Sequence, residues 1–278
     1  MKHSISFPAK LLITIILTSL CSTSIQAQGN LLVTPKRVLF DGTKRSEEIN
    51  LANIGKDTAT YQISFIQIRM KEDGSFEKIT EPDSAQQFAD KFIRFFPRTV
   101  TLGPNEAQTV KMQLTKTGEL QAGEYRSHLY FRAVPTRKPL GDPEEKTDSS
   151  ISVRLVPVFG ISMPVIIRSG VSDASVNFSD VTFFEKEGQP AIRMALQREG
   201  NMSVYGDIAV DHISVQGKIS RVGLIKGLAV YTPNTKRRFE MMLDKNALPD
   251  YRTGKLKLSY LDQSARPNKL AEHEIQLQ

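Results

Sequence analysis

The sequence predicts an all-β protein built as two immunoglobulin-like β-sandwiches, and three observations carry that expectation. Short runs rich in Val, Ile, Thr, Tyr and Phe recur along the chain. Apolar and polar residues alternate within them with period two, while helical periodicity is scarce. Gly, Asn, Asp and Pro cluster between the runs, where the backbone must reverse.

The first half offers seven strand candidates, the number that an immunoglobulin-like sandwich needs. They are "LLVTPKRVLF", "SEEINLANIG", "ATYQISFIQIRM", "FIRFFPRTVTL", "AQTVKMQLTK", "GEYRSHLYFRAV" and "ISVRLVPVFGISMPVIIR". In the first of these, Pro35 fits an edge position near a strand start, where a missing N–H costs little, and Lys36 reads as a solvated neighbour. Between Pro135 and Ser150 the stretch "PTRKPLGDPEEKTDSS" is polar and proline-rich, which predicts a mobile loop. After "RSGVSDA" a second series runs through "SVNFSDVTFF", "PAIRMALQRE", "SVYGDIAVDHISV", "KISRVGLIKGLAVYT", "KRRFEMMLD", "GKLKLSYLDQ" and "LAEHEIQLQ". The expected boundaries are a signal peptide over 1–27, a first sandwich over 28–168 and a second over 169–278.

The signal peptide is read from Lys2 and Lys10 followed by "LLITIILTSLC", an apolar run too short to span a bilayer, with a cut after Ala27. A rival reading makes "LTSLC" a lipoprotein signal with Cys21 lipidated, although Leu20 is bulky for that role. Cys21 is the only cysteine, so cleavage after Ala27 leaves neither a disulfide nor a thiolate metal site. Export without disulfides suggests a Gram-negative periplasm and a soluble mature chain. Removing Lys2 and Lys10 takes the formal charge from +7 to +5, with Lys and Arg interspersed among acids. That mild, mixed charge argues against nucleic acid as a partner.

Catalytic chemistry finds no constellation. His128, His212 and His273 are scattered without HxH or HExxH spacing, and Asp211 and His212 are strand neighbours that point to opposite faces. No nucleophile elbow, Walker loop or dinucleotide-binding glycine pattern occurs. The chain is therefore expected to be a non-enzyme with no metal and no cofactor.

One strand is unusual. Ile151, Val153, Leu155, Phe159, Ile161, Met163, Val165 and Ile167 share one parity, broken only by Pro157. A sandwich strand needs about 5 to 6 residues, so this face outruns its own core. Either the strand bridges both sandwiches, or its first part is an exposed edge that pairs with a strand from another protein.

With these residues in view, the chain resembles the PapD-like periplasmic pilus-assembly chaperones. "RVLFDGTKRSEEINLANIGKDTATYQISF", "FPRTVTLGPNEAQTVKMQL" and "GEYRSHLYFRAVP" carry the resemblance, which covers about Val33 to Arg168 and extends to the second domain by strand pattern. It implies two immunoglobulin-like domains in a boomerang and a cleft arginine, Arg37, that grips the C-terminal carboxylate of a pilus subunit. It also implies donor residues Ile151, Val153, Leu155 and Phe159, a hinge arginine, Arg168, and a possible outer-membrane usher as further partner. Self-association through the exposed edge would be one way to shield it. Two positions depart from the pattern. Pro164 stands where the family has a lysine, four residues before Arg168, which leaves the grip to Arg37 alone, or to Arg154 if the strand is shifted. Arg126 stands where the family tends to place an acid that pairs with the hinge arginine. A different class, a two-sandwich structural or adhesive envelope protein binding another envelope component or a glycan, would show surface exposure and no need for the edge strand.

Overall fold

The computed structural model describes residues 30–135, 158–244 and 250–277. Ile151, Val153, Leu155, Pro157 and Arg154, like the signal segment, lie outside the described residues. The first ten strands are β1 (Leu31–Thr34), β2 (Val38–Phe40), β3 (Ser46–Asn53), β4 (Ala59–Met70), β5 (Phe76–Ile79), β6 (Ile93–Phe96), β7 (Thr99–Leu102), β8 (Ala107–Leu114), β9 (Gly123–Val134) and β10 (Gly160–Ser169). They form one sheet in the order β1-β3-β8-β6 and a facing sheet in the order β2-β10-β9-β4-β5, with β7 also on β4. Inward residues of both sheets, among them Ile49, Leu51, Val110, Met112, Leu129, Phe131, Val165 and Ile167, make one core.

Seven further strands follow: β11 (Ser175–Lys186), β12 (Gln189–Glu199), β13 (Val204–Ile213), β14 (Ile219–Val230), β15 (Lys236–Met242), β16 (Lys255–Leu261) and β17 (Lys269–Gln276). Sheets β11-β12-β15 and β14-β13-β16-β17 enclose a second core around Ile192, Leu196, Ile208, Leu256, Leu258 and Tyr260. The architecture is all-β with two sandwiches. Among the described residues the only helices are two single 3-10 turns, and no helix is long and apolar enough to cross a membrane.

Three expectations need correction. "LLVTPKRVLF" is not one strand: the chain breaks over Pro35–Arg37, with β1 pairing β3 in one sheet and β2 running parallel to β10 in the other. Pro35 thus sits in a corner between sheets, where it interrupts no ladder. "FIRFFPRTVTL" divides in the same way at Pro97, since β6 pairs β8 and β7 pairs β4. Alternation survives such a corner because the strand keeps its inward face while changing partners. β5 was not anticipated, because "FEKI" is short and largely exposed.

β10 does not bridge the two cores. Met163, Val165 and Ile167 all enter the first, and none of its residues joins the second. Phe159, just before the strand, is 49% exposed.

Candidate functional site

The site is built on the face of β9 that looks away from the first core. Tyr125, Leu129 and Phe131 point into that core, and period two sends Glu124, Arg126 and His128 to the opposite face. Those three are buried nevertheless, because the second sandwich covers them.

Glu124 is the hub. Its carboxylate accepts hydrogen bonds from Arg126 Nη2 at 2.6 Å, Arg168 Nε at 3.2 Å, Ser203 Oγ at 2.6 Å and Ser203 N at 3.1 Å. Burial pushes this carboxyl up, but the two guanidiniums and the serine outweigh it and hold Glu124 below the usual carboxylate range. Arg168 also donates through Nη2 to the Ser203 carbonyl at 2.8 Å. The acid that pairs with Arg168 is therefore present, two residues before Arg126 on the same face. Arg126 joins the network and lies over the Tyr231 ring, 3.6 Å from its centroid.

Arg37 enters from the β1–β2 corner and stacks on Tyr205, 3.9 Å from the ring centroid. It is half-buried, and among the described residues no carboxylate pairs with it. Burial pulls its guanidinium below the ordinary arginine value, Arg168 and Arg126 add to that, and the Tyr205 and Tyr231 hydroxyls oppose it. Of the three guanidiniums gathered here, Arg126 and Arg168 share the one carboxylate, and the local excess of positive charge rests on Arg37. His128, buried beside Phe76 and Tyr231, is pulled down to about 3 by burial and by Arg126, so it is neutral at physiological pH.

Register places Arg37 at a second boundary. β2 pairs with β10 only from Val38↔Val165 to Phe40↔Ile167, so Arg37 stands level with Pro164, where β10 loses that neighbour. From Gly160 to Pro164 the strand is bonded to β9 on one side and, among the described residues, open on the other. The Phe159 carbonyl accepts from Ala133 N of β9, so by alternation the backbone groups of Gly160, Ser162 and Pro164 face the open side. Pro164 therefore costs no ladder bond and removes a donor from the exposed edge, a common guard against pairing with other chains. Pro164→Ala restores that donor, so edge-to-edge pairing between copies, read by sedimentation velocity, should be about fivefold more favourable in the variant than in wild type, the worth of one hydrogen bond.

The second sandwich contributes Tyr205 from the start of β13, Arg198 from the end of β12, and the loops that carry Ser203 and Tyr231. Arg198, 4% exposed, donates to the carbonyls of Asn234, Gly200 and Met202 at 2.8, 2.7 and 2.9 Å, which ties the loop carrying Ser203 to the loop after Tyr231. The turn between β4 and β5 reaches the same loop: Asn234 Nδ2 donates to the Met70 carbonyl at 2.6 Å, and Arg238 N to the Glu72 carbonyl at 2.7 Å. Ser203, Tyr205, Tyr231 and Arg198 were not anticipated, since nothing local to them distinguishes them from sandwich residues. Glu124 carried a signal, the i, i+2, i+4 series Glu124, Arg126, His128 on a strand whose other face is apolar. Asp211 and His212 do point apart, Asp211 to Arg221 and His212 Nε2 to the Thr253 carbonyl at 2.9 Å. No group of three or more His, Cys, Asp or Glu placed to hold a metal occurs among the described residues.

Residues 40–134 match the Fn3-like domain family. No curated protein sequence matches the chain. Among solved structures it is similar to the class 5 fimbriae chaperone CfaA, with 14% identity and a TM-score of 0.44 over 90% of this chain and 99% of that one. It is similar also to the Pseudomonas aeruginosa CupB2 chaperone, with 12% identity and a TM-score of 0.41 over 88% of this chain and 100% of that one. The E. coli chaperone DraB gives 13% identity and a TM-score of 0.42 over 89% of this chain and 96% of that one. The chain is thus an all-β protein of two sandwiches, the first of which carries the Fn3-like match over residues 40–134.

Proposed function

We propose that the chain is a non-enzymatic periplasmic chaperone that caps pilus or other surface-fibre subunits by lending them a strand. The observation that carries this reading is the position of Arg37, a guanidinium without a carboxylate partner among the described residues, at the point where β10 loses β2 as its neighbour. A planar guanidinium held on an aromatic ring offers its fork to a carboxylate and keeps its charge when half-buried. The direction of an incoming strand follows. A chain whose C-terminal carboxylate rests at Arg37, level with Pro164, and whose body pairs with Gly160 to Ser162 runs parallel to β10. Its side chains would meet the segment before Gly160, where Ile151, Val153, Leu155 and Phe159 are the proposed donor residues. In this reading Arg168 serves at the hinge through Glu124 and Ser203, and Arg154 is not needed for the grip.

Co-expression with a candidate subunit tests the proposal. Arg37→Ala and Leu155→Glu should each lower recovery of soluble subunit at least about tenfold, because a charge-assisted anchor or a buried apolar contact is lost. Arg37→Lys should restore only part of it. Recovery at the wild-type level in both single variants would sink the proposal.

A further inference from the structure

We infer that the first sandwich carries a second docking surface, a basic groove at β6 and β8 that takes an acidic, extended segment of a partner protein. The groove encloses about 620 Å³ and is lined by Ser46, Arg94, Phe95, Phe96, Arg98, Lys111, Met112 and Gln113. Its lining holds three cations and no acid. Beside the lining, Glu48 lies 3.8 Å from Lys111 and is itself exposed. β6 is the last strand of its sheet, and the registers Arg94↔Gln113 and Phe96↔Lys111 put these side chains on the outer face. Arg98 covers the rim of the core, with its guanidinium 4.7 Å from the Phe95 ring centroid.

Charges and a proline after the strand are what a guarded sheet edge requires. Phe96 is what that account leaves over. It is 77% exposed, and a large ring held in water between two cations has no structural task there. Arginine beside an exposed aromatic is the composition enriched at protein interfaces. The backbone limits how a partner can bind. The Phe92 carbonyl accepts from Thr115 N just after β8, so alternation turns the backbone groups of Ile93 and Phe95 outward. The Ile93 N–H is taken by the Asp90 carbonyl, which leaves Phe95 as the residue of β6 with both groups open among the described residues, and Pro97 has no N–H. Strand addition alone is too short, and recognition falls to side chains: carboxylates on Arg94, Arg98 and Lys111, and an apolar residue on Phe96. This surface lies at the β6 edge, on the outer face of the sheet opposite β9 and β10, while Arg37 follows β1 at the other edge of that sheet, so the two are separate.

The probe is a fluorescein-labelled decapeptide of alternating Glu and Leu, read by fluorescence anisotropy against the full chain, with an alternating Lys and Leu peptide as control. Expected is saturable binding of the acidic peptide alone, weakened by added salt. Arg94→Glu with Lys111→Glu should weaken it at least about tenfold and Phe96→Ser about fivefold, while Arg37→Ala leaves it within about twofold. All four positions are on the surface or unpaired, and circular dichroism checks that each variant is folded. The inference is overturned by absent or non-saturable binding, by equal binding of the basic peptide, or by groove variants that bind as wild type. It is equally overturned if phosphatidylglycerol vesicles, and not the peptide, bind with this residue dependence.

Discussion

Glu124→Ala will lower the stability of the chain by about 3–5 kcal/mol, the cost of removing one partner from a buried ionic network. The carboxylate is 2% exposed and satisfies Arg126, Arg168 and both polar groups of Ser203. Its removal leaves Arg126, itself 6% exposed, beside two other guanidiniums with no counter-charge among these side chains. Glu124→Gln keeps the shape and an acceptor for Ser203 and should fall between the two. Urea unfolding reads the difference as a shift in midpoint at constant slope. A Glu124→Ala unfolding free energy within about 0.5 kcal/mol of wild type would refute the network's role. The pH dependence has a definite sign. The folded carboxyl lies below its unfolded value of 4.5, so its contribution is complete above that value and is lost as pH falls through the lower folded one. Wild type should lose stability on acidification in that range, and Glu124→Ala should lose correspondingly less.

This network explains what could and could not be read from the sequence. Strand positions were legible because each sheet has one core face and one outer face, and alternation records it. β9 runs from Gly123 to Val134 and coincides with "GEYRSHLYFRAV". The corners at Pro35 and Pro97 were not legible, because a strand that changes sheets keeps its inward parity and only its hydrogen-bond partners change. Arg37 stood out locally, as a cation between apolar neighbours. Its isolation from carboxylates did not, since that depends on Glu124 being consumed by Arg126, Arg168 and Ser203. The apolar parity of the long strand was real, yet Met163, Val165 and Ile167 belong to an ordinary core. What distinguishes β10 is the backbone edge between Gly160 and Pro164, and edge exposure is a property of the neighbours a strand lacks.

Arg198→Met should cost a similar amount, about 3–5 kcal/mol, for a different reason. Arg198 is a buried cation that no carboxylate pairs with among the described residues; burial pulls it below the ordinary arginine value, and the charges of Glu124 and Asp173 favour it from a distance. Its direct partners are carbonyls, of Gly200 and Met202 on one loop and of Asn234 on the other. Methionine fills comparable space and donates nothing, so these carbonyls lose a charged donor inside the protein. The loops they belong to carry Ser203, which binds Glu124, and Asn234, which holds the Met70 carbonyl. Loosening them should reach the junction between the sandwiches. Amide exchange of Ser203, whose N–H donates to Glu124, and of Arg238, whose N–H donates to the Glu72 carbonyl, should accelerate at least about tenfold relative to amides of the first core. Unchanged exchange at both sites would mean that Arg198 acts on its own sandwich alone. Combining Arg198→Met with Glu124→Ala distinguishes the two cases independently. Both act through Ser203, so their costs should fall short of additivity by about 1 kcal/mol or more, whereas sites that do not share a partner would add.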